Sequence, residues 1–189
     1  MGNNASNVSA GKPKITGAIH VAPKGTELPQ DATAALGDAW KALGYCSDAG
    51  VVNGTAMETT DIKAWGGDTV LVIQTSKDDT YKWTLIEIKN VEVLKFVYGE
   101  SNVSGDLNSG IVIAANNKET DEVSVIIDMI LSENTAKRIV IPTAKIKAVE
   151  DITYADNAAI GYGTTVGCMP DADGNTHYEY IQKQQTPSA

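Results

Sequence analysis

The sequence predicts a mainly β domain, a β-sandwich or partly closed barrel with one flanking α-helix. Three observations predict it. Thr, Val and Ile recur in short runs, and these residue types fit a pleated, half-buried surface. The runs are separated by clusters of Gly, Pro, Asn and Asp, as strands are by turns. Only one segment combines helix-ending residues on both sides with an apolar stripe at helical spacing. With 189 residues, 42% of them apolar, the chain can bury a sizeable core as one large domain.

Residues 1–13 are small and polar, punctuated by Gly11 and Pro13, and read as a flexible arm. The domain proper is expected over 14–182. Its first strand falls in Lys14–Pro23 and is ended by Pro23 and Gly25. The stretch from Asp31 to Leu43 (DATAALGDAWKAL) reads as a short helix or two turns. Asp31 suits an N-cap and the alanines favour helix, but Gly37 interrupts. From about 47 to 65 the chain is polar with short apolar pieces. This predicts a long projecting loop or hairpin, and so long a loop in a compact domain usually has a task.

KAWGGDTVLVIQT (Lys63–Thr75) raises the question of a phosphate cradle. Such a loop needs a helix after its glycines, so that free N–H groups and the positive helix end face the anion. A β-branched run follows instead, and Asp68 would repel phosphate, so Gly66 and Gly67 read as a corner between strands. The run Thr69–Thr75, the charged SKDDT and then YKWTLIEI (Tyr81–Ile88) read as strand, turn, strand. NVEVLKFVYG is the expected helix. Asn90 caps it, Glu92 suits its first turn, Gly99 ends it, and Val91, Leu94, Val97 and Tyr98 form a stripe for packing on a sheet.

The second half repeats strand signals. A short strand is expected within Ile111–Ala115, followed by the acidic turn NNKETDE. From Glu122 to Leu131 the chain alternates, with Val123, Val125, Ile127, Met129 and Leu131 on one face and Ser124 and Asp128 on the other. Lys137–Val149 is the next strand, and its Pro142 implies an edge or a bulge. Tyr162–Met169 and Thr176–Gln182 read as a closing hairpin around PDADGN, and 183–189 as a loose tail.

Signals for chemistry are few. The net charge of −9, from 24 acids and 15 bases, argues against tight nucleic-acid binding. His20 and His177 have no third ligand spaced with them, so no zinc site is expected. DADGN places Gly174 fourth, not sixth as an EF-hand loop requires, and strands flank it. Cys46 and Cys168 read as two reduced, partly buried thiols. No secretory signal and no membrane-length apolar stretch is visible. The four Asn-x-Ser/Thr triplets at Asn4, Asn7, Asn53 and Asn102 are attributed to composition. No catalytic residue, cofactor or metal is expected, and the protein reads as a non-enzyme.

The order and wording of several pieces resemble one known family. "PKGTELP", "WKALGY", "KAWGGD" and "PDADGN", in this sequence order and spread from about Gly17 to Ile181, look like a major tail protein, the tail tube subunit of long-tailed, non-contractile bacteriophages. The resemblance implies a fold similar to the type VI secretion tube protein. It implies six copies closing into rings through shared sheet edges, and rings stacking into a tube through which DNA leaves. It also implies a virion location, assembly in the host bacterial cytoplasm, and tape measure, initiator and terminator proteins as partners. The long loop and the N-terminal arm resemble the parts that reach the next ring, and Asn53, Met57, Ile62 and Trp65 are the contact residues expected there. A negative lumen fits the −9 charge, because like-charge repulsion keeps the duplex off the wall. Asp78, Asp79, Asp121, Glu122 and Asp128 are the lumen-facing candidates. The alternatives are a secreted or surface β-sandwich binding module, such as an adhesin or carbohydrate binder, and a ring-forming tail terminator.

Overall fold

A computed structural model describes residues 2–15 and 17–184. The strands are β1 (Lys12–Pro13), β2 (Ile19–Pro23), β3 (Lys41–Ala42), β4 (Val52–Lys63), β5 (Thr69–Leu85), β6 (Val103–Ser104), β7 (Val112–Ile113), β8 (Val123–Leu131), β9 (Thr135–Val149), β10 (Tyr162–Met169) and β11 (Tyr178–Lys183). Helix α1 (Val91–Tyr98) lies between β5 and β6. The main sheet is antiparallel in the order β3-β2-β8-β9-β10-β5-β4 and does not close on itself. β6 and β7 form a separate ribbon. The expected mainly β fold with a flanking helix is therefore present, as an open sheet.

Both faces of the sheet are covered. On one face Ile19, Val21, Tyr81, Trp83, Leu85, Val125, Ile127, Ile139, Ile141 and Val166 join Val93, Leu94, Phe96 and Val97 of α1 in the principal core. Trp83 stacks on Phe96 (6.3 Å) and Tyr98 meets Tyr162 edge-on (5.9 Å). Asn90 caps α1 as expected, its side chain accepting from the Glu92 N–H. The opposite face holds a smaller core of Ala22, Trp40, Ile126 and Val140, covered by Leu28 and Leu36 from the connection between β2 and β3.

That connection contradicts the helical option for Asp31–Leu43. The Asp31 carboxylate accepts the N–H groups of Thr33 and Ala34 (both 2.6 Å), and Arg138 Nη1 donates to the carbonyls of Asp31 (3.3 Å) and Ala34 (2.9 Å). Those carbonyls would serve a helix as acceptors, so tertiary hydrogen bonds override alanine's propensity. The segment becomes a strap over the sheet, and its last residues pair as β3.

Three further expectations change. The presumed turn at SKDDT is the middle of β5, one strand of 17 residues. Of the loop or hairpin expected at 47–65 the hairpin is present, its first strand β4 paired along its length with β5. β10 and β11 do not pair with each other. Both pair with β9, β11 along Thr135–Val140 and β10 along Thr143–Val149, so PDADGN is a corner between two strands laid end to end. The arm is not wholly free: Lys12 and Pro13 pair with Ile130 and Met129, and the Ser132 N–H donates to Ser9 Oγ (2.7 Å). Pro142 lies beside the register shift between β8 and β9, where Ser124 Oγ donates to its carbonyl (2.8 Å). The bulge implied by that proline is thus present. Lys183 completes β11, and the expected loose tail beyond Gln184 lies outside the described residues.

Candidate assembly surface

β4 and β5 build one long hairpin. Their β-branched residues favour extended backbone, and the chain reverses over Ala64–Asp68. There the Ala64 N–H donates to the Asp68 carbonyl (2.8 Å) and the Gly67 N–H to the Ala64 carbonyl (3.0 Å). Gly67 has φ of +95°, a region an L side chain rarely enters, whereas Gly66 does not. The glycine pair is the corner the sequence suggested, and one of its two glycines is required by geometry.

Only the last part of β5, Thr80–Leu85, pairs with β10. Beyond it the hairpin leaves the body, and every residue of β5 from Thr69 to Asp78 is exposed. The register assigns its faces. Ile62, Leu71 and Ile73 share one face with Thr60, while Asn53, Thr55 and Met57 share the other with Tyr81, Asp79 and Lys77. Ile62, Leu71 and Ile73 are 43%, 52% and 44% exposed, and Met57, Val70, Val72 and Trp65 are exposed as well. A two-stranded ribbon is marginal in water by itself, and clustered exposed apolar side chains mark an interaction surface.

The root of the hairpin is polar and buried. Asp79 is 1% exposed, and its carboxylate accepts from Thr55 Oγ1 (2.7 Å), Thr176 Oγ1 (2.6 Å) and Lys77 Nζ (3.2 Å). The Thr176 hydroxyl chiefly, with Thr55 and Lys77, holds this carboxyl down at about 2 against the opposing effect of burial. One side chain thus ties β4, β5 and the β10–β11 corner together. Beside it Tyr81 meets His177 edge-on (5.5 Å).

The expected contact residues fall on one element but not on one face. Asn53 and Met57 lie on the root-side face, Ile62 on the other, and Trp65 at the tip. Sequence reasoning missed Leu71 and Ile73, which read only as part of a strand. The clue was a long polar segment just before them, the mark of a partner strand with no core beneath it.

The five acid candidates are not brought together. Asp79 and Asp128 are corrected: both are buried and cannot present charge to a lumen. Asp128 is held by Arg138 through Nε (2.6 Å) and Nη2 (2.9 Å), with Lys14 Nζ at 3.5 Å. Its strand face was expected to be solvated, but the strap covers it. Asp78 is exposed at the hairpin root, 3.4 Å from Lys147 Nζ. Asp121 is exposed before β8, and Glu122 pairs with Lys24 (2.6 Å).

Among the described residues no three His, Cys, Asp or Glu side chains are grouped to hold a metal. No helix among them is long and apolar enough to cross a membrane. Cys46 and Cys168 are both free, and burial pushes their thiols up to about 11 and about 12.

An open sheet with an apolar, projecting ribbon defines a structural β subunit. The model of the phage tail tube protein family matches residues 1–189, and the chain belongs to that family. It is a structural protein of the phage tail. This displaces the surface-module alternative. The chain is also similar, at 10% identity and a TM-score of 0.41, to a solved structure described as the anti-feeding prophage cap (AFP tube terminating cap), over 97% of this chain and 100% of that one. No curated protein matches the chain significantly.

Proposed function

We propose that six copies of this chain close into a ring, that rings stack into the tail tube of a long-tailed, non-contractile phage, and that DNA leaves through the lumen. The observation that carries the reading is the β4–β5 hairpin, which exposes Ile62, Leu71 and Ile73 together on a ribbon with no partner among the described residues. Full burial of such side chains is worth about 1.5–3 kcal/mol each, so covering their exposed halves contributes about 3 kcal/mol per hairpin before association costs. Repeated around a ring, that term favours stacking.

The exposed start of the arm, residues 2–8, ahead of the contacts made by Ser9, Lys12 and Pro13, is the second segment that can reach a neighbouring ring. Asp78, Asp121 and Glu122 remain the lumen-facing candidates, and the −9 charge favours a wall that repels the duplex. Tape measure, initiator and terminator proteins are the partners this role requires, and assembly takes place in the host cytoplasm. The test is a Leu71→Asp/Ile73→Asp variant. Both sites are exposed in the single chain, so its unfolding midpoint should match the parent's. Light scattering should show it failing to form the large assemblies the parent forms. Assembly equal to the parent's would count against the hairpin as the contact.

A further inference from the structure

Three long strand edges are open among the described residues: the outer edge of β4, the edge of β5 from Thr69 to Asp79, and the outer edge of β11. They differ in how they are guarded. β4 carries Gly54, Glu58, Asp61 and Lys63, the kind of charges and breaks that keep an edge from pairing. β5 from Thr69 to Ser76 reads TVLVIQTS, with no charge, no proline and no glycine, and only the register shifts against β4 at Val70 and Thr75 interrupt it. A segment of high β-propensity with an uncharged open edge is a template for another strand. Its open backbone continues the line on which β10 pairs with Thr80–Leu85, so an incoming strand would extend the same sheet.

The body offers one receiver of matching length. β3 and β1 are two residues each, whereas β11 runs for six residues and pairs only with β9. Its Glu179, Ile181, Gln182 and Lys183 are exposed, the two charges being paired with Lys137 and Glu133 of the same chain, and Tyr178 and Tyr180, stacked at 6.4 Å, pack against the smaller core and hold the strand in place. Two different edges, one on the hairpin and one on the body, make a heterologous contact, the kind that generates rings or stacks instead of closed pairs.

We propose that the open β5 edge, Thr69–Ser76, pairs strand to strand with β11 of a second copy of this chain. This rests on the self-assembly reading above and names the surfaces that carry it. Main-chain hydrogen bonds supply the affinity, and the alternating side chains of the two strands set the register.

The test uses the full chain with Cys46 and Cys168 replaced by Ala, assembled and then oxidised. One set of variants combines Ile181→Cys with Cys at Val70, Val72 or Gln74, and a control set combines Ile181→Cys with Cys at Glu58 or Thr60 of β4. The expected result is a ladder of intermolecular disulfides from at least one β5 combination and none from β4. Hydrogen exchange on the unsubstituted chain should show the outward-facing amides of 69–76 and 178–183, those not bonded to β4 or β9, slowing at least tenfold on assembly. Assemblies that form without β5–β11 crosslinks or slowed exchange overturn this pairing and leave the tube reading standing. Slow exchange of the outward-facing amides, those not bonded to β4 or β9, already present in the monomer overturns it too, and a chain that never associates overturns both.

Discussion

Replacing Asp79 with Asn should loosen the root of the hairpin by an amount the structure sets. The carboxylate is buried and accepts three donors, from Thr55, Thr176 and Lys77. Its carboxyl is held at about 2, below the ordinary 3.8, the Thr176 hydrogen bond contributing most. A depression of that size corresponds to roughly 2 kcal/mol of stability from the ionised form. Because the folded value lies below the unfolded one, the stabilisation is complete above about pH 5 and disappears as pH falls through about 2, with roughly half gone near pH 3. Asn keeps the shape but carries no charge at any pH. At pH 7 the variant should lose about 2 kcal/mol, or roughly 4–8 °C in melting temperature for a chain of this length. Urea unfolding at pH 7, 5 and 3 should show the gap between parent and variant constant over the first two and about halved at the third. Equal stabilities at pH 7, or a gap unchanged at pH 3, would refute the account of the root.

Other outcomes follow from the same geometry. Arg138→Met leaves buried Asp128 with only Lys14 Nζ at 3.5 Å and removes the hydrogen bonds to Asp31 and Ala34 of the strap at residues 24–40. Urea unfolding should show a loss of about 3–5 kcal/mol, and Arg138→Met/Asp128→Leu should recover most of it. Gly67→Val forces a β-branched side chain to positive φ and should cost about 1–2 kcal/mol in thermal melting, whereas Gly66→Val should be neutral. Deleting residues 1–13 removes the short pairing with Met129–Ile130. It should leave the circular dichroism spectrum intact and raise the concentration needed for assembly in light scattering; loss of the β spectrum would contradict this.

The mainly β class, α1 with its Asn90 cap, and the corner at Gly67 were legible because each depends on local chemistry. A projecting hairpin was one of two readings of 47–65, but its strand was not legible, because alternation shows in a sequence only when one face is buried, and β4 is wet on both. SKDDT looked like a turn because three charges stand together. In the fold Lys77 and Asp79 face Thr55 and Thr176 while Asp78 reaches Lys147, so the charges serve a strand. Asp128 looked solvated because nothing in β8 shows that a strap from residues 24–40 covers that face. The corner at Pro170–Asn175 has the residues of a tight turn, and only the rest of the sheet determines that β11 pairs with β9 instead of returning along β10.

The most direct measurement is the mass and image of the purified full chain as its concentration is raised, by light scattering and electron microscopy together. The account predicts six-fold rings of about 120 kDa, from six 20.0 kDa chains, that stack into hollow tubes. A 20.0 kDa species at every concentration, with no rings on the grids, would contradict it.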